Sequence, residues 1–219
     1  MSVAERIART IATDIGAQTE QVHATVALLD KGDTVPFVAR YRKEATGGLD
    51  DTQLRKLAER LDYLRDLEKR RASILGEIRS QGKLTEALAK AIEKAGTKSV
   101  LEDLYLPYKP KRRTKAMIAR ENGLDPLLRS ILGDRRADPA VLAQAYLSGS
   151  VETVKEALNG ARDILVEELS ENAGLLGRLR QVMQQDAVIT SRIIAGKEES
   201  GVKFSDYFDH SCKRRHCHD

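Results

Sequence analysis

The chain contains no tryptophan and only three phenylalanines, so its core falls to Leu, Ile, Val and Ala. That mixture favours helix. Its five prolines, in 219 residues, leave long stretches free to run as helix. Alternating apolar and polar residues are nearly absent, which excludes a mainly β architecture. No apolar run approaches the roughly 20 residues that a membrane-spanning helix needs. No N-terminal apolar segment precedes a small-residue cleavage site, and Ser2 and Glu5 instead stand at capping-box spacing. A cytoplasmic protein without membrane partners is the expectation.

Catalytic signatures are missing too. There is no G-x-S-x-G elbow, no phosphate loop ending in Gly-Lys-Ser/Thr, no H-E-x-x-H and no dinucleotide-binding glycine triad. His23 lies on a helical pattern with no evident acid–base partner, so a surface or core role is expected. Asp50 and Asp51 have the chemistry to hold Mg²⁺, yet their place before an apolar repeat makes them helix caps. The sequence therefore predicts no enzyme and no cofactor. Both cysteines (Cys212, Cys217) and three of the four histidines (His210, His216, His218) crowd into the last ten residues. Cys212, His216, Cys217 and His218 are too closely spaced for ordinary zinc-finger geometry, so no functional metal site is expected.

What the chain does contain is charge and helical rhythm. Hydrophobic residues at 41% and charged residues at 32% mark a globular protein, not a disordered one. Two of the four excess positive charges lie in the last eight residues, so the body is nearly neutral and anion binding must come from local patches. Val3, Ile7 and Ile11 open a first helix, and Val22, Val26 and Leu29 continue after a Thr19 cap. Pro36 suits a first helical position, and Gly47–Gly48 breaks the chain before Asp50. Leu54, Leu57, Leu61, Leu64, Leu67, Ile74 and Ile78 then form a narrow stripe on a helix of about 30 residues, about 45 Å long. Such a stripe reads as one arm of an antiparallel hairpin or coiled coil.

Shorter helices follow around Leu84–Ala95, Val100–Leu104, Met117–Ile118 and Leu127–Ile131, with Asp125–Pro126 and Asp138–Pro139 as starts. Val154 to Leu169 keeps near-heptad spacing. A final helical run from Leu175 is expected to reach Val188–Ile193 before Gly196. The fold class is all-α: a multi-helix array with long antiparallel helices.

Three basic clusters are candidates for anions. Lys109, Lys111, Arg112, Arg113 and Lys115 form a run without an acid, next to Tyr105 and Tyr108. Pro107 and Pro110 predict an extended Tyr105–Pro110, and such a cation-rich strap suits phosphates and stacked bases. Arg40, Arg42 and Lys43 precede the glycine pair and form a second basic edge. The turn itself reads as structural, buttressed by Arg–Asp pairs, because Glu44, Asp50 and Asp51 repel phosphate there. Arg65, Lys69, Arg70 and Arg71 are interleaved with acids, which predicts pairing within the helix.

The segments VPFVARYRKEATGGLDD (Val35–Asp51) and LEDLYLPYKPKRRTKAMIARENGLDPL (Leu101–Leu127) resemble the bacterial Tex family of transcription accessory proteins, in the same order. The resemblance runs from about Ile7 to Ser211. It implies the helical N-terminal part of that family, with a helix-turn-helix-like portion, as a domain over residues 1–196. Residues 197–211 would begin the connection to later domains: an RNase-H-like domain, helix-hairpin-helix elements and an OB-fold that carries most RNA binding. Residues 212–219 depart from the pattern, and a truncated or frame-shifted gene is the expectation. A Tex-like reading frame in the downstream DNA would support the frameshift, and its absence would exclude it.

The resemblance implies a non-enzymatic scaffold associated with DNA or RNA. Lys109, Lys111, Arg112, Arg113 and Lys115 would contact phosphates, and Arg40 and Arg42 would add a secondary edge. The competing reading is a module that docks other domains or RNA polymerase, partly through the Leu54–Ile78 stripe.

Overall fold

A computed structural model describes residues 2–214, so His216, Cys217 and His218 of the cysteine–histidine tail lie outside the described residues. The chain divides into two compact units, Met1–Leu101 and Glu102–Asp219.

The first unit is all helix. Ser2 caps α1 (Val3–Ile15) by accepting a hydrogen bond from the Glu5 amide, as its spacing predicts. α2 (Thr19–Asp30) starts one residue earlier than expected. Gln18 is its cap, and the Gln21 side chain accepts from the Gln18 amide, so Thr19 is the first helical residue. α3 (Val35–Tyr41) carries Pro36 in its first turn, where a missing N–H costs nothing. α4 (Asp51–Ser80) has the expected 30 residues and opens on the Asp50–Gln53 capping box. α5 (Glu86–Lys94) is capped by Thr85.

The stripe on α4 does not wait for an outside partner. Leu54, Leu57, Leu61, Leu64, Leu67, Ile74 and Ile78 are all buried. They are covered within the unit, where α1, α3 and α5 pack on α4. Burying each of these side chains contributes about 1.5–3 kcal/mol, which explains why a helix otherwise rich in Arg and Glu is fixed in place. The docking role expected of this stripe is therefore corrected.

The charges on α4 pair along the helix, as in Arg71 with Glu68 and Arg70 with Glu77, and also between elements, which the sequence did not predict. Arg65 binds Asp30 of α2 through two hydrogen bonds of 2.8 Å. Arg71 is buried and donates to the carbonyl oxygens of Ile92 and Ala95 at the end of α5 and to Glu68. Glu68 also takes Arg6 from α1. A guanidinium reaching two terminal carbonyls completes the α5 C-terminus, which leaves backbone acceptors unsatisfied by itself.

The second unit follows from within α6 (Lys98–Tyr105). α7 (Lys115–Glu121), α8 (Asp125–Gly133), α9 (Pro139–Gln144) and α10 (Val154–Ser170) form its core. Ala116, Ala119, Leu124, Leu127, Leu128, Ala143, Ala157, Ala161 and Ile164 fill it. Small residues let α7 lie close on α10. A methyl group added at Gly160 would come within 2.3 Å of Leu124 and 3.2 Å of Ala119. Asp138 caps α9 as expected, whereas Asp125 is already the first residue of α8 and Leu124 is the cap position.

Two expectations fail here. Tyr105–Pro110 is not extended throughout: Tyr105 ends α6, and Leu106–Tyr108 form a 3-10 turn with Pro107 in its first positions. A proline at the start of so short a turn lacks only an N–H that would be unpaired anyway. Second, Val188–Ile193 does not continue the last helix. α11 (Ala173–Asp186) stops, and β1 (Val188–Arg192) pairs antiparallel with β2 (Asp209–Lys213), Thr190 opposite Ser211. The β-branched Val188, Ile189 and Thr190 prefer extended backbone once a partner strand exists, and that partner is about 20 residues away, beyond the reach of local pattern. The fold remains mostly all-α.

Candidate nucleic-acid interface

The strap at residues 109–115 runs as irregular backbone from Lys109, whose φ and ψ are −64° and 130°. Its cations meet different fates. Lys111 pairs with Glu171, the C-cap of α10, and lies 3.7 Å from Glu167 in its last turn. Arg113 pairs with Glu121 on α7. Thr114 caps α7 by accepting from the Met117 amide at 3.0 Å and donates to Glu167 at 2.9 Å. Glu167 thus gathers Thr114, Lys111 and Arg120. Partial burial pushes its carboxyl pKa up, but the hydrogen bonds from Arg120 and Thr114 and the charge of Lys111 outweigh that and hold it below the ordinary value. Arg129 similarly binds Glu168 and Asp125, which raises its already high pKa.

Lys109, Arg112 and Lys115 are exposed and have no ion-pair partner among the described residues. Tyr105 is 3% exposed, so it offers no ring for stacking, contrary to expectation. Lys111, Arg113 and Tyr105 are therefore committed to the fold of the second unit.

The α3 edge shows the opposite pattern. Val38 is fully buried and ties α3 down, and Thr46 and Leu49 bury the turn that follows. Gly47 and Gly48 both have positive φ, 63° and 85°, which only glycine adopts without strain. The turn is held by Gln21, whose amide donates to the Gly47 carbonyl at 2.8 Å, and not by the expected Arg–Asp pairs. Outside this frame, Phe37 and Tyr41 lie one helical turn apart with ring centroids at 5.1 Å and planes tilted by 47°. Arg42 lies over the Phe37 ring at 5.6 Å and Arg40 lies 6.0 Å from the Tyr41 ring. Arg40, Arg42 and Lys43 are exposed without an ion-pair partner among the described residues. Glu44 is the one acid between Val35 and Leu49.

The structure thus keeps Arg40 and Arg42 available and adds two residues that sequence reasoning passed over, Phe37 and Tyr41. Their signal was in the chain: aromatics at i and i+4, with cations between and after them. The third cluster is held by acids and carbonyls: Arg70 and Arg71 pair within α4 as expected, whereas Arg65 binds Asp30 of α2 and Arg71 also reaches the end of α5. His23 lies 3.2 Å from Glu5 at the surface, and Asp50 caps α4. No group of three or more metal-ligating side chains occurs among the described residues. No helix among them is long and apolar enough to cross a membrane.

Comparison with known proteins places the first signature segment, Val35–Asp51, inside a family match. Residues 5–79 match the Tex-like protein N-terminal domain, and residues 134–217 match a Tex central region-like segment. The chain carries an N-terminal Tex-like region. It is 55% identical over 203 residues, 93% of its length, to the transcriptional accessory protein Tex of Neisseria gonorrhoeae. It is also 55% identical over 204 residues to protein YhgF of Escherichia coli. A human S1 RNA-binding domain-containing protein 1 is 30% identical over 203 residues. The Tex-like chain spans about a quarter of those bacterial relatives, 27% and 26% of their lengths, and 20% of the human protein.

Proposed function

We propose that this Tex-like region is a non-enzymatic, cytoplasmic scaffold associated with nucleic acid in transcription, and that it contacts phosphates mainly through the α3 edge. In this reading α2 and α3 are its helix-turn-helix-like part, with α3 as the exposed helix. The observation that carries it is the exposure of Arg40, Arg42 and Lys43 without acid partners among the described residues, beside two exposed rings. Lys109, Arg112 and Lys115 supply a second, weaker set of phosphate contacts in the other unit. Cations of this kind position a backbone without reading bases. Names among its relatives, a transcriptional accessory protein and an S1 RNA-binding domain protein, agree with such a role.

The test is fluorescence anisotropy with labelled DNA and RNA, single-stranded and duplex, at several salt concentrations. Binding should weaken steeply with salt, since each phosphate contact adds roughly 0.7–0.9 to the log–log slope. No binding at low salt would refute the proposal.

A second reading rests on the other end of the chain. α11 buries none of its residues and exposes Leu179, Val182 and Met183, while Ile189, Ile194 and Phe204 are exposed on and beside the β1–β2 pair. Apolar surface of that kind suits docking to other domains or to RNA polymerase. Salt-insensitive self-association without nucleic-acid binding, read by light scattering, would favour it.

A further inference from the structure

We infer that the Phe37–Tyr41 pair on α3 is a base-stacking platform, so that this edge selects single-stranded nucleic acid over duplex. The inference rests on the reading of the chain as nucleic-acid-associated and adds the form of ligand and the residues that recognise it.

The first argument is exposure. Tyr41 is 62% exposed and Phe37 38%, although the first unit has a core into which apolar rings would otherwise pack. α3 turns Val38 inward, and that places residues 37 and 41 together on the outer side. The second is what surrounds the rings. Arg40, at 6.0 Å from the Tyr41 centroid, is at the outer limit of a cation–π contact and leaves the ring free to receive a base. Phe37, tilted behind Tyr41 and covered by Arg42, fixes the platform from the other side.

The third argument is charge. A base brought to Tyr41 carries its phosphates along a segment with three cations that have no ion-pair partner among the described residues, Arg40, Arg42 and Lys43, and one acid, Glu44. Aromatic faces interleaved with cations are how proteins hold single strands with little sequence preference, because every base has a π-face. In a duplex those faces are already stacked, and exposing one costs a few kcal/mol of unstacking. Finally, the platform is preorganised: buried Val38 and Thr46 and the Gln21–Gly47 hydrogen bond hold the segment, so little ordering cost remains on binding.

The absence of tryptophan gives the test a clean probe. Tyr41→Trp in the full chain introduces a single indole, and titration with a fluorescein-free single-stranded oligonucleotide should quench its emission, whereas a duplex of equal length should not. In parallel, Tyr41→Ala should weaken single-strand binding by roughly fivefold to a hundredfold at fixed salt, leave duplex binding within about twofold, and leave the salt slope unchanged. Tyr41→Phe, which keeps the ring, should restore binding. Circular dichroism of each variant checks the fold, and exposure of residue 41 makes it tolerant of change.

If wild type binds single strand and duplex but Tyr41→Ala alters neither, stacking is refuted while nucleic-acid association survives. Equal losses on both ligands would also refute it. If polyglutamate competes as well as the oligonucleotide does, the edge is a general anion trap and the inference fails. If wild type binds none of these ligands, the functional reading itself falls.

Discussion

The α3 edge and the 109–115 strap carry similar charge in the sequence and opposite roles in the fold. In the strap, Lys111 and Arg113 are taken up by Glu171, Glu167 and Glu121, and Tyr105 is buried. At the end of α3 and just beyond it, Arg40, Arg42 and Lys43 keep no acid partner among the described residues, and Tyr41 is open. The difference lies in what the tertiary structure brings near. The C-terminal end of α10 and its cap present Glu167 and Glu171 to the strap, whereas Arg40, Arg42 and Lys43 meet no acid among the described residues. A run of cations is a binding site only where the fold does not neutralise it.

The largest effect should come from removing the α3 charges. Changing Arg40, Arg42 and Lys43 together to Gln should weaken nucleic-acid binding by roughly a hundredfold at low salt, measured by anisotropy. The matching change of Lys111 and Arg113 to Gln should alter binding by less than about threefold, because their charges already serve acids.

Next comes the clamp that silences the strap. Glu167→Gln should destabilise the chain by about 1–3 kcal/mol in denaturant unfolding, since Arg120, Thr114 and Lys111 lose a shared, partly buried acceptor. Adding Glu171→Gln, which removes the acid that Lys111 is hydrogen-bonded to, should free Lys111 and gain nucleic-acid affinity in the strap. A loss of stability with no gain in affinity would break the comparison.

A smaller effect is expected at Gly160. Gly160→Ala forces a methyl group toward Leu124 and should cost about 1–2 kcal/mol of stability despite the better helix propensity of alanine, read by thermal unfolding. Smallest is the effect of acid. The Glu167 carboxyl is lowered from an ordinary value of 4.5, so the folded state binds fewer protons there than the unfolded chain. Its contribution is complete above that value and fades as pH falls through the folded-state pKa. The stability difference between wild type and Glu167→Gln should therefore shrink below about pH 4.5.

Much of the fold was legible because its signals are local. The Ser2, Asp50 and Asp138 caps and the full length of α4 follow from spacing alone. The basic candidates were legible as charges, but their availability was not. Whether Lys111 is free depends on Glu171, 60 residues away. Tyr105 was readable as an aromatic beside cations, but its burial depends on packing. The β1–β2 pair was hidden for the same reason, since Val188–Arg192 extends only because Asp209–Lys213 is there to pair with it. Phe37 and Tyr41 were missed on a local pattern that was fully visible: their i, i+4 spacing reads as core until the structure turns it outward.

The most direct measurement is the salt dependence of single-stranded oligonucleotide binding, compared among wild type, an Arg40/Arg42→Gln variant and a Lys111/Arg113→Gln variant. The fold predicts that the first double substitution lowers the log–log slope by about 1.4, two phosphate contacts' worth on a single strand, while the second leaves it unchanged. A slope that falls for Lys111/Arg113→Gln and holds for Arg40/Arg42→Gln would place the interface on the strap and contradict the assignment to α3.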